Sequence, residues 1–336
     1  MKKSLHLPKI IGTGSYLPEK ILSNKDLEKM VETSDEWIVT RTGIKERHIA
    51  KEDEYTSDMA YQASLRALED AKLDPKEIDL ILVATLTPDY IFPSTACLVQ
   101  QKLGATKAAA LDIQAACTGY IYALSIAKAY IEAGIYQNIL IVASEKLSSI
   151  VDYTDRSTCV LFGDGAAACV VSSNSDKPGL IVDAVTLGAD GVQSELLILP
   201  GGGSRHPATE QTVKEKMHYL KMSGNEVFKH AVRRMENASK ECLEIAEMQE
   251  TDIHHLIPHQ ANLRIIDAIA RRFSHIPSER VYKKVVERYG NTSASSVGIA
   301  LDDLMKEKKI NHGENVLMTA FGAGLTWGAT ILTSDR

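Results

Sequence analysis

The chain has no Cys-x-x-Cys pair. Its five cysteines stand at 97, 117, 159, 169 and 242, too scattered for a zinc ribbon or a dithiol redox motif, and their odd number fits reduced thiols better than a disulfide framework. A long apolar run is also missing. The longest stretches, 78–86 and 139–143, are strand-sized and far short of the roughly 20 residues that a helix needs to cross a bilayer, so no membrane association is expected. Lys2 and Lys3 precede Ile10-Ile11-Gly12 without an apolar h-region or a small-residue cleavage site. A cytoplasmic chain is therefore expected, or a stromal one if a plant or algal sequence was trimmed. There is no surplus of positive charge: the formal net charge is −6, which argues against nucleic acid as a partner.

What is present is a sequence of ordinary globular composition, 44% hydrophobic and 24% charged over 336 residues, longer than a single core usually serves. Strand-like segments at 9–14, 78–85, 108–114, 138–144 and 166–172 alternate with helical periodicity at 56–72, 95–103 and 117–133. The pattern then restarts, with strands at 180–187, 253–258 and 316–321 and helices at 224–247, 263–273 and 293–307. This alternation predicts an α/β fold. Three pairs of segments echo one another in the same order: Asp79-Leu-Ile-Leu-Val-Ala-Thr85 with Asp252-Ile-His-His-Leu-Ile-Pro258, Asn138-Ile-Leu-Ile-Val142 with Asn315-Val-Leu-Met318, and Phe162-Gly-Asp-Gly165 with Phe321-Gly-Ala-Gly324. They predict two duplicated halves, 1–174 and 175–336, with the helix after Cys117 matched to the one after Ala294. The segment 200–207, Gly- and Pro-rich, reads as surface loop.

Cys117 lies in Asp112-Ile-Gln-Ala-Ala-Cys-Thr-Gly-Tyr120, between a short apolar strand and a long amphipathic helix. A thiol at a helix N-terminus gains thiolate character from the free N–H groups; a small buried core cysteine is the competing explanation. Cys169 and Cys242 read as packing residues in a strand and on a helix. In the second half, His259 in Pro258-His-Gln-Ala-Asn262 follows a strand and opens a helix, where α/β proteins place functional side chains. Asn291 in Gly290-Asn-Thr-Ser-Ala-Ser295 is placed to donate or simply to cap the following helix. The turn Phe321-Gly-Ala-Gly324 offers backbone N–H groups to an oxyanion. Singly, each has a structural explanation; together they supply a nucleophile, an imidazole, an amide donor and an oxyanion turn.

With Asp35-Glu-Trp-Ile-Val-Thr-Arg-Thr-Gly-Ile44, these motifs, from about residue 8 to 333, resemble the β-ketoacyl-acyl carrier protein synthase III family. The resemblance implies a thiolase-like fold of two α-β-α-β-α halves in one five-layered globule. It also implies an acyltransferase that starts type II fatty acid synthesis. Cys117 would take an acyl group from a short acyl-CoA. His259 and Asn291 would stabilise the enolate formed when malonyl-acyl carrier protein loses CO₂, and the N–H groups of Cys117 and Ala323 would hold the other oxyanion. No metal and no cofactor is implied. Trp37 and Arg156 would flank the CoA adenine, Arg41 would meet a CoA phosphate, and Asn262 would line the pantetheine tunnel. Phe162 and Phe92 would bound the acyl pocket, Phe92 from the partner of a homodimer, which favours a short acyl group. Arg264, Ala268 and Arg271 share a helix face that, with Arg272 and Lys229, would dock the acidic carrier protein. The chain departs from the family in Gly322-Ala-Gly324, where three glycines are common, so the turn must be one an L-residue can adopt. The readings that compete are a polyketide- or quinolone-type starter synthase, a Cys-His thioesterase that needs neither Asn291 nor a carrier, and a non-catalytic scaffold.

Overall fold

The computed structural model describes residues 6–173 and 176–335. The first half contains β1 (Lys9–Tyr16), α1 (Asp35–Thr42), α2 (Thr56–Ala71), β2 (Leu80–Ala84), α3 (Thr95–Leu103), β3 (Ala109–Ile113), α4 (Gly119–Glu132), β4 (Asn138–Glu145) and β5 (Gly165–Ser172). The second contains β6 (Leu180–Ala189), α5 (Gly224–Ala246), β7 (His255–Pro258), α6 (Leu263–Ala270), α7 (Ser295–Lys306), β8 (Asn315–Gly322) and β9 (Thr326–Ser334). The expected boundary, residues 174 and 175, lies outside the described residues, in the connection between β5 and β6. We propose it as the division between the halves.

Strand order carries the internal symmetry. The nine strands run β7-β8-β9-β6-β1-β5-β4-β2-β3. In the first half β3, β2 and β4 are mutually parallel, while β5 and β1 add antiparallel. In the second, β7 and β8 are parallel, while β9 and β6 add antiparallel. The counterpart of β3 is reduced to a single parallel bridge between Leu256 and Val281. The half-sheets join edge to edge through Lys9 with Ile181 and Ile10 with Leu180.

Helices α2 and α3 cover one outer face and α5 and α6 the other, while α4 and α7 lie between the half-sheets, each touching strands of both. The sequence explains that placement. Helix α7 buries Ser295 to Asp302 without a break, as an all-round apolar or small-residue helix must. Gly298 lets it approach α4: a Cβ there would come within 2.7 Å of the Tyr120 ring and of Ala167 Cβ. At the seam Thr13 and Ser15 of β1 donate to the buried carboxylate of Asp302 at 2.9 and 2.5 Å.

Cys169 and Cys242 are buried in β5 and α5, as expected, and all five cysteines are free thiols. The segment 200–207 is almost wholly exposed. Among the described residues no helix is long and apolar enough to cross a membrane. Gly298→Leu is expected to lower stability by about 1–3 kcal/mol through overpacking of this seam; an unchanged urea midpoint would contradict the close-approach account.

Candidate active site

Cys117 sits in a tight 3-10 turn, Ala116–Thr118, immediately before α4. The helix starts two residues later than its periodicity suggests, because Ala116 takes the left-handed region at φ 44°. The facing start of α7 is close, since a Cβ on Gly119 would lie 3.4 Å from Ala294 Cβ. The turn after β8 reaches the same point: a Cβ on Gly322 would come within 2.7 Å of the Cys117 backbone nitrogen. The turn's left-handed position is Gly324, at φ 135°, and not Ala323, so alanine at 323 is conformationally ordinary. Thr326 fixes the two loops together, donating within reach of Ala115 O at 3.0 Å and Ala323 O at 3.1 Å and contacting Thr118 Oγ1 at 3.1 Å.

His259 and Asn291 are buried beside Cys117, and each has one end committed to the protein. The His259 N–H donates to Thr319 O at 2.7 Å, and its Nδ1 lies 2.8 Å from Ser296 Oγ. That hydroxyl also accepts from Gln260 N–H at 3.3 Å, and among the described residues Nδ1 is the one hydrogen-bond acceptor its own hydrogen reaches. The ring is then the Nε2–H tautomer, with its donor free for a substrate oxygen. Gln260 itself is fully buried, donating to Pro258 O and Tyr282 O at 2.7 and 3.0 Å. Asn291 Oδ1 accepts from Ser293 N–H at 2.9 Å, which orients the amide and leaves Nδ2 as the outward donor. Asn291 therefore closes a local turn and is not the cap of α7, whose N-cap position is Ala294.

Burial sets the electrostatics. It pushes the Cys117 thiol up to about 12; a hydrogen bond with Ser293 opposes this and the nearby Glu145 carboxylate adds to it. The expected thiolate is thus not the resting form. A helix end contributes at most about 2 kcal/mol, whereas this rise corresponds to about 4 kcal/mol. Burial lowers His259 to about 4, so the ring is neutral at physiological pH.

These side chains share a cavity of about 670 Å³. Its inner wall has Cys117, His259, Asn291 and Phe162, all buried, and its rim has Arg41, Lys229 and Arg264, all exposed. Trp37 and Asn262 line it between. Ser34 caps α1 by accepting from Trp37 N–H at 3.1 Å, which sets the indole at the cavity. The Arg156 and Arg41 guanidinium groups lie 4.8 and 5.9 Å from the Trp37 ring centroid. Asn262 caps α6 with Oδ1, accepting from Ile265 N–H at 3.0 Å.

Of the other expected residues, Phe92, Arg271 and Arg272 do not line the cavity. Phe92 is 83% exposed beside exposed Tyr90 and Ile91. Arg264 stacks over Phe228 at 5.6 Å, but Ala268 is buried, so Arg264 and Arg271 do not form one continuous exposed face. Arg272 pairs with Glu236 at 3.2 Å and Lys229 with Glu226 at 2.7 Å. Sequence reasoning missed Ser293, Ser296, Thr326 and Glu145. Glu145 alone carried a signal, as a carboxylate ending an otherwise apolar strand.

Residues 111–191 match the family model described as 3-oxoacyl-[acyl-carrier-protein] synthase III, and residues 243–334 match its C-terminal counterpart. A β-ketoacyl-[acyl-carrier-protein] synthase III of Chlamydia muridarum is 58% identical over 324 residues, covering 96% of this chain and 98% of the relative. The chain belongs to the 3-oxoacyl-[acyl-carrier-protein] synthase III family. The crystal structure of the synthase III of Aquifex aeolicus VF5 superposes with a TM-score of 0.88 at 52% identity, covering 97% of this chain and 99% of that one. The priming β-ketosynthase of the R1128 polyketide pathway superposes with a TM-score of 0.89 at 39% identity, covering 98% of each chain. Superposition over nearly the whole of each chain shows that these relatives share the α/β architecture described above.

Ser296→Ala removes the hydroxyl that fixes the His259 ring. Imidazole ¹⁵N shifts are expected to show a single Nε2–H tautomer in the unaltered protein and a mixture in the variant, the bond being worth about 1 kcal/mol; identical spectra would contradict the assigned role.

Proposed function

We propose that this chain is the initiating condensing enzyme of type II fatty acid synthesis. It joins a short acyl-CoA, acetyl-CoA in the simplest case, to malonyl-acyl carrier protein. The products are 3-oxoacyl-acyl carrier protein, CO₂ and CoA. The observation that carries the reading is the convergence of three groups in one buried cavity: the Cys117 thiol, a His259 ring with Nε2–H free, and an Asn291 amide with Nδ2 free.

Cys117 attacks the thioester carbonyl, and the backbone N–H groups of Cys117 and Ala323 receive the developing oxyanion. CoA leaves and the acyl group stays on sulfur. Malonyl-carrier then occupies the same tunnel. Loss of CO₂ places negative charge on its thioester oxygen, where two neutral donors are the right partners. A neutral His259 donates without first surrendering a proton, and its low pKa keeps it from competing as a base. The carbanion attacks the acyl-enzyme carbonyl, and collapse expels Cys117. This chemistry uses side chains and backbone alone, with CoA and phosphopantetheine as carriers of substrate.

Trp37, Arg41, Arg156 and Asn262 are assigned to CoA, and Phe162 to the acyl pocket. We assign Phe92 to the pocket of a second copy in a homodimer. The exposure of Tyr90, Ile91 and Phe92, at 61, 87 and 83%, supports this, since such an apolar tip calls for a partner. Arg264, Lys229, Arg271 and Arg272 are assigned to carrier docking, and the cytoplasm is the proposed location. The R1128 structure keeps a polyketide-type starter synthase as a second reading, distinguished by its acyl preference.

Intact mass after acetyl-CoA is expected to show an acetyl adduct that Cys117→Ala abolishes and that malonyl-carrier converts to product. Release of the adduct into water without malonyl-carrier would mark a thioesterase. His259→Ala or Asn291→Ala should keep the adduct and lower condensation by about two to three orders of magnitude, the usual cost of one oxyanion donor. Arg264→Glu should raise KM for malonyl-carrier and leave acyl transfer from CoA intact; an equal fall in both half-reactions would rule out docking there.

A further inference from the structure

Acylation requires the Cys117 proton to go somewhere, and His259 is not its acceptor: Nδ1 already receives a hydrogen from Ser296 and Nε2 carries its own. A different path is built into the site. Ser293 lies beside Cys117, where its side chain works against the rise of the thiol, and its N–H donates to Oδ1 of Asn291, which lines the cavity with Cys117; Ser293 Oγ lies 3.1 Å from Glu145 Oε1. Glu145 is fully buried.

Its two oxygens differ. Oε2 accepts from Leu86 N–H at 3.1 Å, from Thr87 Oγ1 at 3.0 Å and from Thr85 Oγ1 at 3.3 Å. Each threonine hydroxyl also accepts a backbone N–H, Thr87 Oγ1 from Lys146 at 2.9 Å and Thr85 Oγ1 from Thr87 at 3.1 Å, and directs its own hydrogen to Oε2. Three donors on one oxygen leave no room for a proton. Among the described residues Oε1 has one hydrogen-bond partner, Ser293 Oγ. A proton arriving on Glu145 must settle there, on the side of the nucleophile. Ser293 is held in the left-handed region, at φ 53°, and its N–H is tied to Asn291 Oδ1. Strain of this kind persists where the surroundings over-determine a side chain's aim.

We propose that Ser293 and Glu145 form a proton relay for Cys117, resting on the assignment of Cys117 as the acylated nucleophile. As sulfur attacks the thioester carbon, its S–H bond breaks and Ser293 Oγ takes the proton. Ser293 passes its own hydrogen to Glu145 Oε1. The new C–S bond forms, the CoA C–S bond breaks, and CoA thiolate takes a proton from water. When condensation expels the Cys117 thiolate, the proton returns by the same route. Burial raises Glu145 to about 7, against its hydrogen-bond donors, which suits a group that must both accept and return a proton near neutrality. Other charged groups nearby are engaged elsewhere. The Lys146 ammonium binds the carbonyls of Lys51, Glu52 and Glu54 at 2.8, 3.1 and 2.7 Å. The Asp164 carboxylate accepts from Ala50 and Ser148.

The test compares the unaltered enzyme with Glu145→Gln, Glu145→Asp and Ser293→Gly; glycine is chosen because it tolerates the left-handed backbone. Two rates are followed against pH, Cys117 acylation from acetyl-CoA and Cys117 alkylation by iodoacetamide, with malonyl-carrier decarboxylation as a third readout. Both cysteine rates should rise with pH through an inflection near 7 that Glu145→Gln removes. Glu145→Gln and Ser293→Gly should each slow acylation by about 10²-fold or more, without adding when combined. Glu145→Asp should restore part of the rate, and decarboxylation should stay within about twofold. An unchanged pH profile in Glu145→Gln overturns the relay, and so does an equal loss of acylation and decarboxylation, which would mark a structural role. Alkylation does not depend on acyl-CoA. A normal alkylation profile with no acyl adduct on the unaltered enzyme would therefore overturn the proposed function while leaving the relay standing as a property of the thiol.

Discussion

The seam between the two half-sheets is filled by α4 and α7, and how closely those helices approach determines everything catalytic around them. Gly119 and Gly298 remove the side chains that would hold them apart, and Ala294 and Tyr120 occupy the space that remains. Cys117 just before α4 and Asn291 just before α7 are then brought together by this packing, and Asn291 is held by a backbone bridge at Phe162, its N–H donating to Leu161 O at 2.9 Å and its carbonyl accepting from Gly163 N–H at 3.1 Å. His259 joins from the end of β7, positioned by its backbone bond to β8 and by the Ser296 hydroxyl of α7. A duplicated fold supplies two equivalent helix starts, and in the proposed mechanism one carries the nucleophile and the other the donor.

Enclosure at that seam has an electrostatic consequence. Removing water disfavours every charged form at once: the thiol rises, the carboxyl rises and the imidazole falls. Cys117 and His259 are left neutral and Glu145 close to its midpoint at neutral pH, with hydrogens directed by fixed partners. Such an arrangement stabilises charge that appears during reaction, because donors need not reorganise when it does. It also makes each buried proton a matter of connectivity, since a proton moves only where hydrogen bonds already lead.

Much of this was legible in the residues. Apolar stretches bounded by Asp79, Asn138, Asp252 and Asn315 gave the strands within a few residues, and the repeated motifs gave the duplication. Cys117, His259 and Asn291 stood out by their places at element ends. Strand β9 was not identified as an element, because Thr326 to Thr330 is rich in Thr and Gly and becomes a strand through pairing with β8 and β6 on either side. The α4 start was misjudged because one alanine in a left-handed conformation leaves no periodic trace. The direction of the Cys117 shift was misjudged because enclosure depends on packing between halves. Ser293 and Glu145 lie 148 positions apart, and only the folded seam makes them neighbours.

If Trp37 takes the proposed CoA role, its surface competes with its own ligand. Its indole already has the Arg156 guanidinium at 4.8 Å, and Arg156 Nη1 is also tied to Glu32 O at 3.0 Å. An aromatic group arriving at this rim must share or displace an attraction worth about 0.5–1 kcal/mol at exposed sites. Whatever that exchange costs on arrival is recovered on departure, when the guanidinium closes back over the ring. On the proposed assignment the rim trades tight holding for rapid clearance, which suits a tunnel that two different carriers would enter in succession.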